Sequence, residues 1–317
     1  MESCLPAEIG VALMACDSYQ ERGLKGKVAQ LITASGYRVS RGERLLLKPN
    51  LVAVSRANDL ACTHPALVAA VAEYLLDCGA VVAVADSPAT GSPRRAMERL
   101  GLTRALAHLA VDLLDFRRTR TVTLPSGIKV AVAADALACD GLINLAKVKA
   151  HAQVGLTMAM KNYFGVVKGW HKALAHQRYG GGHGDQFFTM LLELPNMLPP
   201  GFSLLDGVTA MHRQGPIHGE PFALGLLGAS LQAVALDTAM LQVLGLAGSR
   251  VPLWQAACQQ GLPGSSPAQI SYPLARPEEL RVEGFRLPRR LSPLRFSPAH
   301  VVGSLWRRLR LLLGRNP

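Results

Sequence analysis

At 317 residues, with 49% hydrophobic and 18% charged residues and a mean hydropathy of +0.19, the chain can bury a large core, as one large α/β domain or two closely apposed lobes. No uninterrupted apolar run approaches the roughly 20 residues that span a bilayer, so a membrane-spanning helix is not expected. The formal charge is +12, but ten Arg against three Glu lie from Arg276 onward, and aromatic residues are only 5%, so specific nucleic-acid binding is not expected either.

The first ten residues, MESCLPAEIG, lack a basic segment followed by an apolar one, which argues against a secretory signal and for the cytoplasm. Six cysteines (Cys4, Cys16, Cys62, Cys78, Cys139 and Cys258) are dispersed without a Cys-x-x-Cys pair. That suits a reduced compartment and offers no motif for an in-chain iron–sulfur cluster or a structural zinc.

Short Val/Ala/Leu runs alternate with helical patterns, which predicts an α/β fold with a mixed or mostly parallel sheet flanked by helices. Residues 8–15 read as a first strand, 26–35 as a helix ending at Gly36, and 44–47 as a second strand leading into Lys48-Pro49-Asn50. Proline stiffens that exit, so Lys48 and Asn50 can be aimed into a cleft, although an ordinary turn with a solvated lysine reads the same way. Thr63-His64-Pro65 opens a helix over 66–76 and places His64 near its positive end, where a neutral imidazole is favoured, as ligand or as plain cap. A strand over 80–85 feeds Asp86-Ser87-Pro88 and a helix over 93–100, putting Asp86 and Ser87 at the carboxyl edge of a sheet, where α/β folds bind ligands. Neither a dinucleotide fingerprint nor a P-loop is present. Residues 111–116 and 129–133 read as further strands.

The richest stretch runs from Asp140 to Gly169. Apolar residues to Leu145 predict a strand, and if it stays extended Lys147, Lys149 and His151 project from one face. Two converging ammonium groups make sense mainly around an anion, a carboxylate or phosphate. Val154 to Phe164 has helical spacing, with Lys161 and Asn162 near its end. Trp170 to Asp185 carries His171, His176 and His183 around three glycines. Its spacings are long for a metal centre, and it is read as a mobile lid. A strand over 204–207 ends in Asp206, followed by a glycine-punctuated loop with His212. Residues 223–227 read as a strand and 233–243 as a helix whose Asp237 needs a partner. Residues 249–296 are rich in Pro and Arg, and 297–317 form a basic amphipathic helix suited to its own domain, a redox partner or the inner face of a membrane.

Lys48-Pro49-Asn50, Thr63-His64-Pro65, Asp86-Ser87-Pro88, Lys147-x-Lys149-x-His151 with Lys161-Asn162 and Gly165, Asp206-Gly207 followed by Gly215-Pro216 and Gly219, and Ala235-Leu236-Asp237 occur in one order. In that order they resemble the domain-of-unknown-function family three-sixty-two, over roughly residues 8–248. The resemblance implies an α/β small-molecule site, distantly similar to the lactate racemase superfamily, in a redox setting, since many members carry a ferredoxin module or are encoded near redox proteins. This chain departs from it in lacking ferredoxin-type cysteines and in having His212-Arg213-Gln214 where an acidic, glycine-rich sequence is more usual.

Two functions are therefore expected of the chain. The first is an enzyme on a small anionic metabolite, with Lys48, Asn50, Ser87, Lys147, Lys149, Lys161, Asn162 and His212 binding substrate and His64, His151, Asp86 and Asp206 moving protons. The second is a non-catalytic cofactor- or metal-binding maturation protein docking on a redox partner. A divalent metal on His64, Asp86, His151 or Asp206 is left open.

Overall fold

The computed structural model describes residues 8–52, 59–88, 91–180 and 185–294. The predicted first strand is two: β1 (Ile9–Gly10) and β2 (Ala12–Ala15). Helix α1 (Leu24–Ala34) buries Leu24, Val28, Leu31 and Ile32, the spacing of one helical face. Strand β3 (Arg44–Pro49) runs through Lys48 instead of ending before it. Pro49 is tolerated there because pairing with the next strand stops at Leu47, so no ladder donor is lost on that side. Helix α2 (Pro65–Asp77) starts with proline and is capped by His64, whose Nδ1 accepts from the Ala66 N–H at 3.2 Å. Then come β4 (Val81–Val84), α3 (Pro93–Leu100), α4 (Leu102–Leu106) and β5 (Val111–Leu113). The hairpin β6 (Thr119–Thr123) and β7 (Lys129–Ala133) stands apart as its own two-stranded sheet and is followed by α5 (Ala134–Ala138).

Strand β8 (Gly141–His151) stays extended through Lys147, Lys149 and His151, and all eleven of its residues are buried. The helix expected over Val154 to Phe164 does not form. Gly155, at φ +75°, turns the chain back as β9 (Gly155–Thr157), which pairs with β8 in the register Lys149 to Thr157. A β-carbon at Gly155 would sit 2.4 Å from the Arg250 carbonyl oxygen, so close approach as well as the positive φ requires glycine. Helical structure begins only at α6 (Ala159–Asn162), followed by a 3-10 turn over Tyr163–Val166. Asp237 supplies the cap, its carboxylate accepting from the Ala159 and Met160 N–H groups at 2.8 and 3.1 Å. Burial pushes that carboxyl up to about 7 against the pull of those two donors.

The segment read as a lid forms α7 (Trp170–Tyr179), while His183 lies outside the described residues. Helix α8 (Asp185–Glu193) leads to β10 (Ser203–His212), β11 (Glu220–Ser230), α9 (Ala233–Val243), α10 (Pro252–Gln259) and β12 (Ile270–Ser271). The short β12 pairs with β1. Leu253 and Ala257 of α10 pack with Phe187 and Val166, and Phe285 and Leu287 pack with Leu236 and Met240, so the Pro/Arg-rich extension is part of the packed structure. The basic amphipathic pattern of 297–317 lies outside the described residues.

The main sheet has eight strands, in the order β2-β11-β10-β8-β3-β4-β5, with β9 on β8. Strands β10, β8, β3, β4 and β5 are mutually parallel, whereas β11 is antiparallel to both β10 and β2. The sheet is therefore mixed, as its sequence pattern predicts. On one face α1, α2 and α4 pack against residues such as Leu45, Leu47, Ile143 and Leu145. On the other, α8, α9 and α10 cover Leu46, Leu142, Ala146 and Val148. Chain order reverses beside β3: β4 and β5 build outward on one side, β8 and β10 on the other. The carboxyl ends of β3 and β8 thus flank a topological switch point, where open α/β sheets leave a crevice.

Candidate functional site

Lys48 and Asp86 stand at or just beyond the carboxyl ends of β3 and β4, and Lys149 and His151 at that of β8, whereas Lys147 and Asp206 lie inside β8 and β10, since β10 runs on to His212 rather than stopping at residue 207. The parallel register sets Lys48 beside Asn144 and Lys147 beside Asp206, so side chains on neighbouring strands meet. All six are at most 7% exposed.

Lys48 Nζ lies 2.8 Å from Asp86 Oδ1. It also donates to Asn162 Oδ1 at 3.2 Å and to the Pro49 carbonyl at 3.1 Å. The other carboxylate oxygen of Asp86 accepts from the Leu51 N–H at 2.7 Å. Asn162 Oδ1 accepts in addition from Asn50 Nδ2 at 2.9 Å, and Asn50 Oδ1 accepts from Lys149 Nζ at 2.8 Å. A second bond from Lys149 goes to the Ala61 carbonyl at 2.8 Å. Gly165 closes the floor of this cluster: a β-carbon there would come within 2.1 Å of Asp86 Oδ1 and of Lys48 Nζ. Ser87 is tied to the same floor, its N–H donating to the Gly165 carbonyl and its Oγ accepting from the Gly169 N–H.

A second cluster joins the first through Thr63, whose N–H and hydroxyl both bond to the Asn50 backbone. Asp206 accepts from Tyr19 Oη at 2.6 Å and from the His64 N–H at 2.9 Å, and it pairs with Lys147 Nζ at 3.0 Å. Lys147 also donates to Tyr19 Oη at 2.8 Å, and the Tyr19 ring stacks on the His64 imidazole at 3.7 Å with 5° between planes. Burial and the adjoining Asp206 carboxylate push the Tyr19 phenol well up, so it remains an O–H donor. His64, with Nδ1 accepting, carries its proton on Nε2, and burial holds it below the usual imidazole range.

Beside Lys48 and Lys149 stand two further lysines. Lys161 makes no hydrogen bond or ion pair among the described residues, and Lys172 donates to the Ser87 carbonyl. Burial lowers Lys149 to about 7, Lys172 to about 7 and Lys161 to about 8, and nearby ammonium groups push in the same direction. Lys48 is lowered as well, because burial outweighs the attraction of Asp86. His151, whose Nδ1 accepts from the Gln153 N–H at 3.1 Å, is held well below the usual range by burial and by Lys161, Lys149 and His176. His176, between the Phe164 and Phe187 rings, is lowered to about 3.

The fold thus assembles Lys48, Asn50, His64, Asp86, Ser87, Lys147, Lys149, His151, Lys161, Asn162 and Asp206. His212 is placed elsewhere. It follows Met211, the register partner of Lys149, so its side chain leaves the opposite face of the sheet, where it meets Phe222, Phe285 and Glu220. Among the described residues, no group of three or more His, Cys, Asp or Glu is arranged to hold a metal ion. The carboxylates of Asp86 and Asp206 are each turned toward a lysine instead. Tyr19 and Lys172 escape the sequence reading. Tyr19 lies in a short polar loop with no motif, and Lys172 sits in the segment read as a lid, where the only signal is its place three residues beyond Gly169.

These features define an α/β protein with a buried to half-buried cluster of lysines toward the carboxyl edge of a mixed sheet. The chain belongs to the family described as Domain of unknown function (DUF362), whose model matches residues 45–242. It is 34% identical over 311 residues to the thylakoid-associated protein sll1697 of Synechocystis sp. (strain ATCC 27184 / PCC 6803 / Kazusa), an alignment covering 97% of this chain and 96% of that one. Among solved structures, the lactate racemase apoprotein from Thermoanaerobacterium thermosaccharolyticum aligns with a TM-score of 0.45 and 11% identity, over 75% of this chain and 57% of that one. A protein from Thermotoga maritima aligns at 0.41 with 12% identity, over 66% and 56%. No helix among the described residues is long and apolar enough to cross a membrane.

Proposed function

We propose that the protein is an enzyme acting on a small anionic metabolite bound at the carboxyl ends of β3, β4 and β8. The observation that carries this reading is a charge imbalance. Lys48, Lys149 and Lys172 feel one carboxylate, Asp86, while Lys161 feels only cations. Gathering four amines, Lys48 and Lys149 buried and Lys161 and Lys172 half-buried, around one carboxylate is costly unless an anion completes the site.

Donor accounting divides the roles. An ammonium has three N–H donors. Lys48 spends its donors on Asp86, Asn162 and Pro49, and Lys147 is held by Asp206 and Tyr19, so these two lysines and their carboxylates form the frame. Lys149, Lys161 and Lys172 keep donors for the anion. Asn50 and Asn162 lock Lys149 and Lys48 in place. His64 and His151 are neutral near pH 7 and serve as proton carriers through Nε2. Native mass spectrometry of gently purified protein is expected to show a retained small anion that is lost in Lys149→Met. No retained mass, together with a Tm that no carboxylate or phosphate moves, sinks the reading.

The thylakoid association in the relative's name and the basic amphipathic pattern of 297–317 support a position on a membrane surface. Anionic vesicles at low salt are expected to float the full chain but not a chain ending at residue 296. Equal flotation of both, or of neither, removes the tail from the reading.

A further inference from the structure

Lys149 is held by a chain of side-chain amides whose far end is a residue the sequence pattern does not single out. Asn144 lies within β8 and is 0% exposed, and it stands an odd number of residues from Lys149, so the two side chains leave the strand on opposite faces. Three amides join them around the carboxyl end of β3. Asn144 Oδ1 accepts from Asn162 Nδ2 at 2.8 Å, Asn162 Oδ1 accepts from Asn50 Nδ2 at 2.9 Å, and Asn50 Oδ1 accepts from Lys149 Nζ at 2.8 Å. Lys48, the register partner of Asn144, shares the Asn162 oxygen at 3.2 Å.

An amide can turn either its oxygen or its NH2 toward a neighbour, and the group at its other end decides which. At the Asn144 end the neighbours include backbone carbonyls, which only accept. Asn144 Nδ2 donates to the Ala159 carbonyl at 3.0 Å and to Ser203 Oγ at 2.9 Å, and Asn162 Nδ2 donates to the Leu145 carbonyl at 3.2 Å. Both nitrogens are fixed on the carbonyl side, so both oxygens turn the other way. Asn50 inherits that direction: its Nδ2 meets the Asn162 oxygen, which leaves its own oxygen for Lys149. Reversing one amide would set donor against donor, and a reversed Asn50 would leave Lys149 with the Ala61 carbonyl alone among the described residues. We infer that Asn144 is a positioning residue for Lys149, acting through the Asn162 and Asn50 amides to keep an oxygen against the ammonium. Its consequence for ligand binding rests on the anion-site reading above, whereas the chain of amides does not.

The test follows the Lys149 ammonium by NMR in the free full-length protein, with lysine carrying the heavy nitrogen isotope at Nζ and the pH held at 6, below the value of about 7 to which burial lowers this amine. The other charged or titratable groups near Lys149 are Cys62, Lys161, Asp86 and Lys147, and none of them is altered by the substitutions. Exchange of the Lys149 N–H protons with water is expected to rise about tenfold in Asn144→Leu, while Lys172, which bonds to Ser87 outside the chain of amides, changes by less than about twofold. Asn50→Leu is expected to give at least the same rise, and the double variant no more than Asn50→Leu alone, since both break one chain. Lys149→Met probes the chain from its other end with every amide intact, and decides the matter should Asn144→Leu not fold: the side-chain amide signals of Asn50, Asn162 and Asn144 are expected to shift, in that descending order. Unchanged exchange in folded Asn144→Leu, a rise shared equally by Lys172, or an Asn144 signal that Lys149→Met leaves in place overturns the positioning role. If the exchange effect is present but native mass spectrometry shows no retained anion, the chain of amides stands and the anion site falls. A retained anion with no exchange effect removes the chain of amides alone.

Discussion

Asp86→Ala is expected to lower stability by about 3–5 kcal/mol, the usual consequence of leaving one partner of a buried ion pair alone. Lys48, 0% exposed, would lose the one carboxylate it pairs with among the described residues, and the Leu51 N–H would lose its acceptor. Lys149 and Lys172 would lose the carboxylate they share. For a chain of this size the drop corresponds to roughly 10 °C in Tm. The double variant Asp86→Leu/Lys48→Met is expected to recover much of it, because removing both charges also removes the desolvation cost. Urea denaturation of the single and double variants measures both effects. A single variant as stable as the parent, or a double variant worse than the single, contradicts the pairing argument.

The second large effect is on pH. Stability of the free protein is expected to climb from about pH 5.5 to pH 8.5. Histidine sets the lower limb: His151 and His176, both buried, are held below the ordinary imidazole value, so between that value and their folded values the unfolded chain binds more protons and stability rises with pH. Lysine sets the upper limb. With Lys149 and Lys172 lowered to about 7 and Lys161 to about 8, the fold sheds protons that the unfolded chain keeps up to about 10.4. Lys149 is 3% exposed, and at about 1.4 kcal/mol per pH unit it contributes on the order of 2 kcal/mol between pH 7 and 8.5.

Two kinds of group oppose the climb. Asp237, raised to about 7, loses stability as pH rises toward that value, and the buried Cys16 and Cys62 thiols, pushed up, do so above about 8.5. The window is chosen to end there. Saturating phosphate is expected to flatten the lysine limb, since a bound dianion recharges the amines. Lys149→Met is expected to reduce its slope. Denaturation midpoints that are flat or falling from pH 7 to 8.5 in phosphate-free buffer would contradict the lowering of these lysines.

Most of the elements are legible locally. Pro65 after His64, the helical pattern of 26–35, and the Val/Ala runs ahead of Asp86 each act through near neighbours, and each element forms within two residues of where those signals place it. Val154 to Phe164 shows the limit of such signals. Its apolar residues repeat as a helix does, but the positive φ at Gly155 and pairing with β8 decide for a strand first. Tertiary pairing outweighs propensity over so short a run.

The sequence by itself determined the α/β class, the family, and the placing of Lys48 and Asp86 at strand ends, because alternation, capping and proline act over a few residues; the strands of Lys147 and Asp206 run further than local signals show. Only the tertiary structure decided what each of those groups touches. Tyr19 meets Asp206 across 187 residues of chain, and Lys48 meets Asn162 across 114. Pairings at that separation depend on strand order and register, which bring Lys172 to Ser87, leave Lys161 without an acceptor among the described residues, and turn His212 to the opposite face. A buried charge takes its partner from whatever the sheet sets beside it, and no local pattern encodes that neighbour.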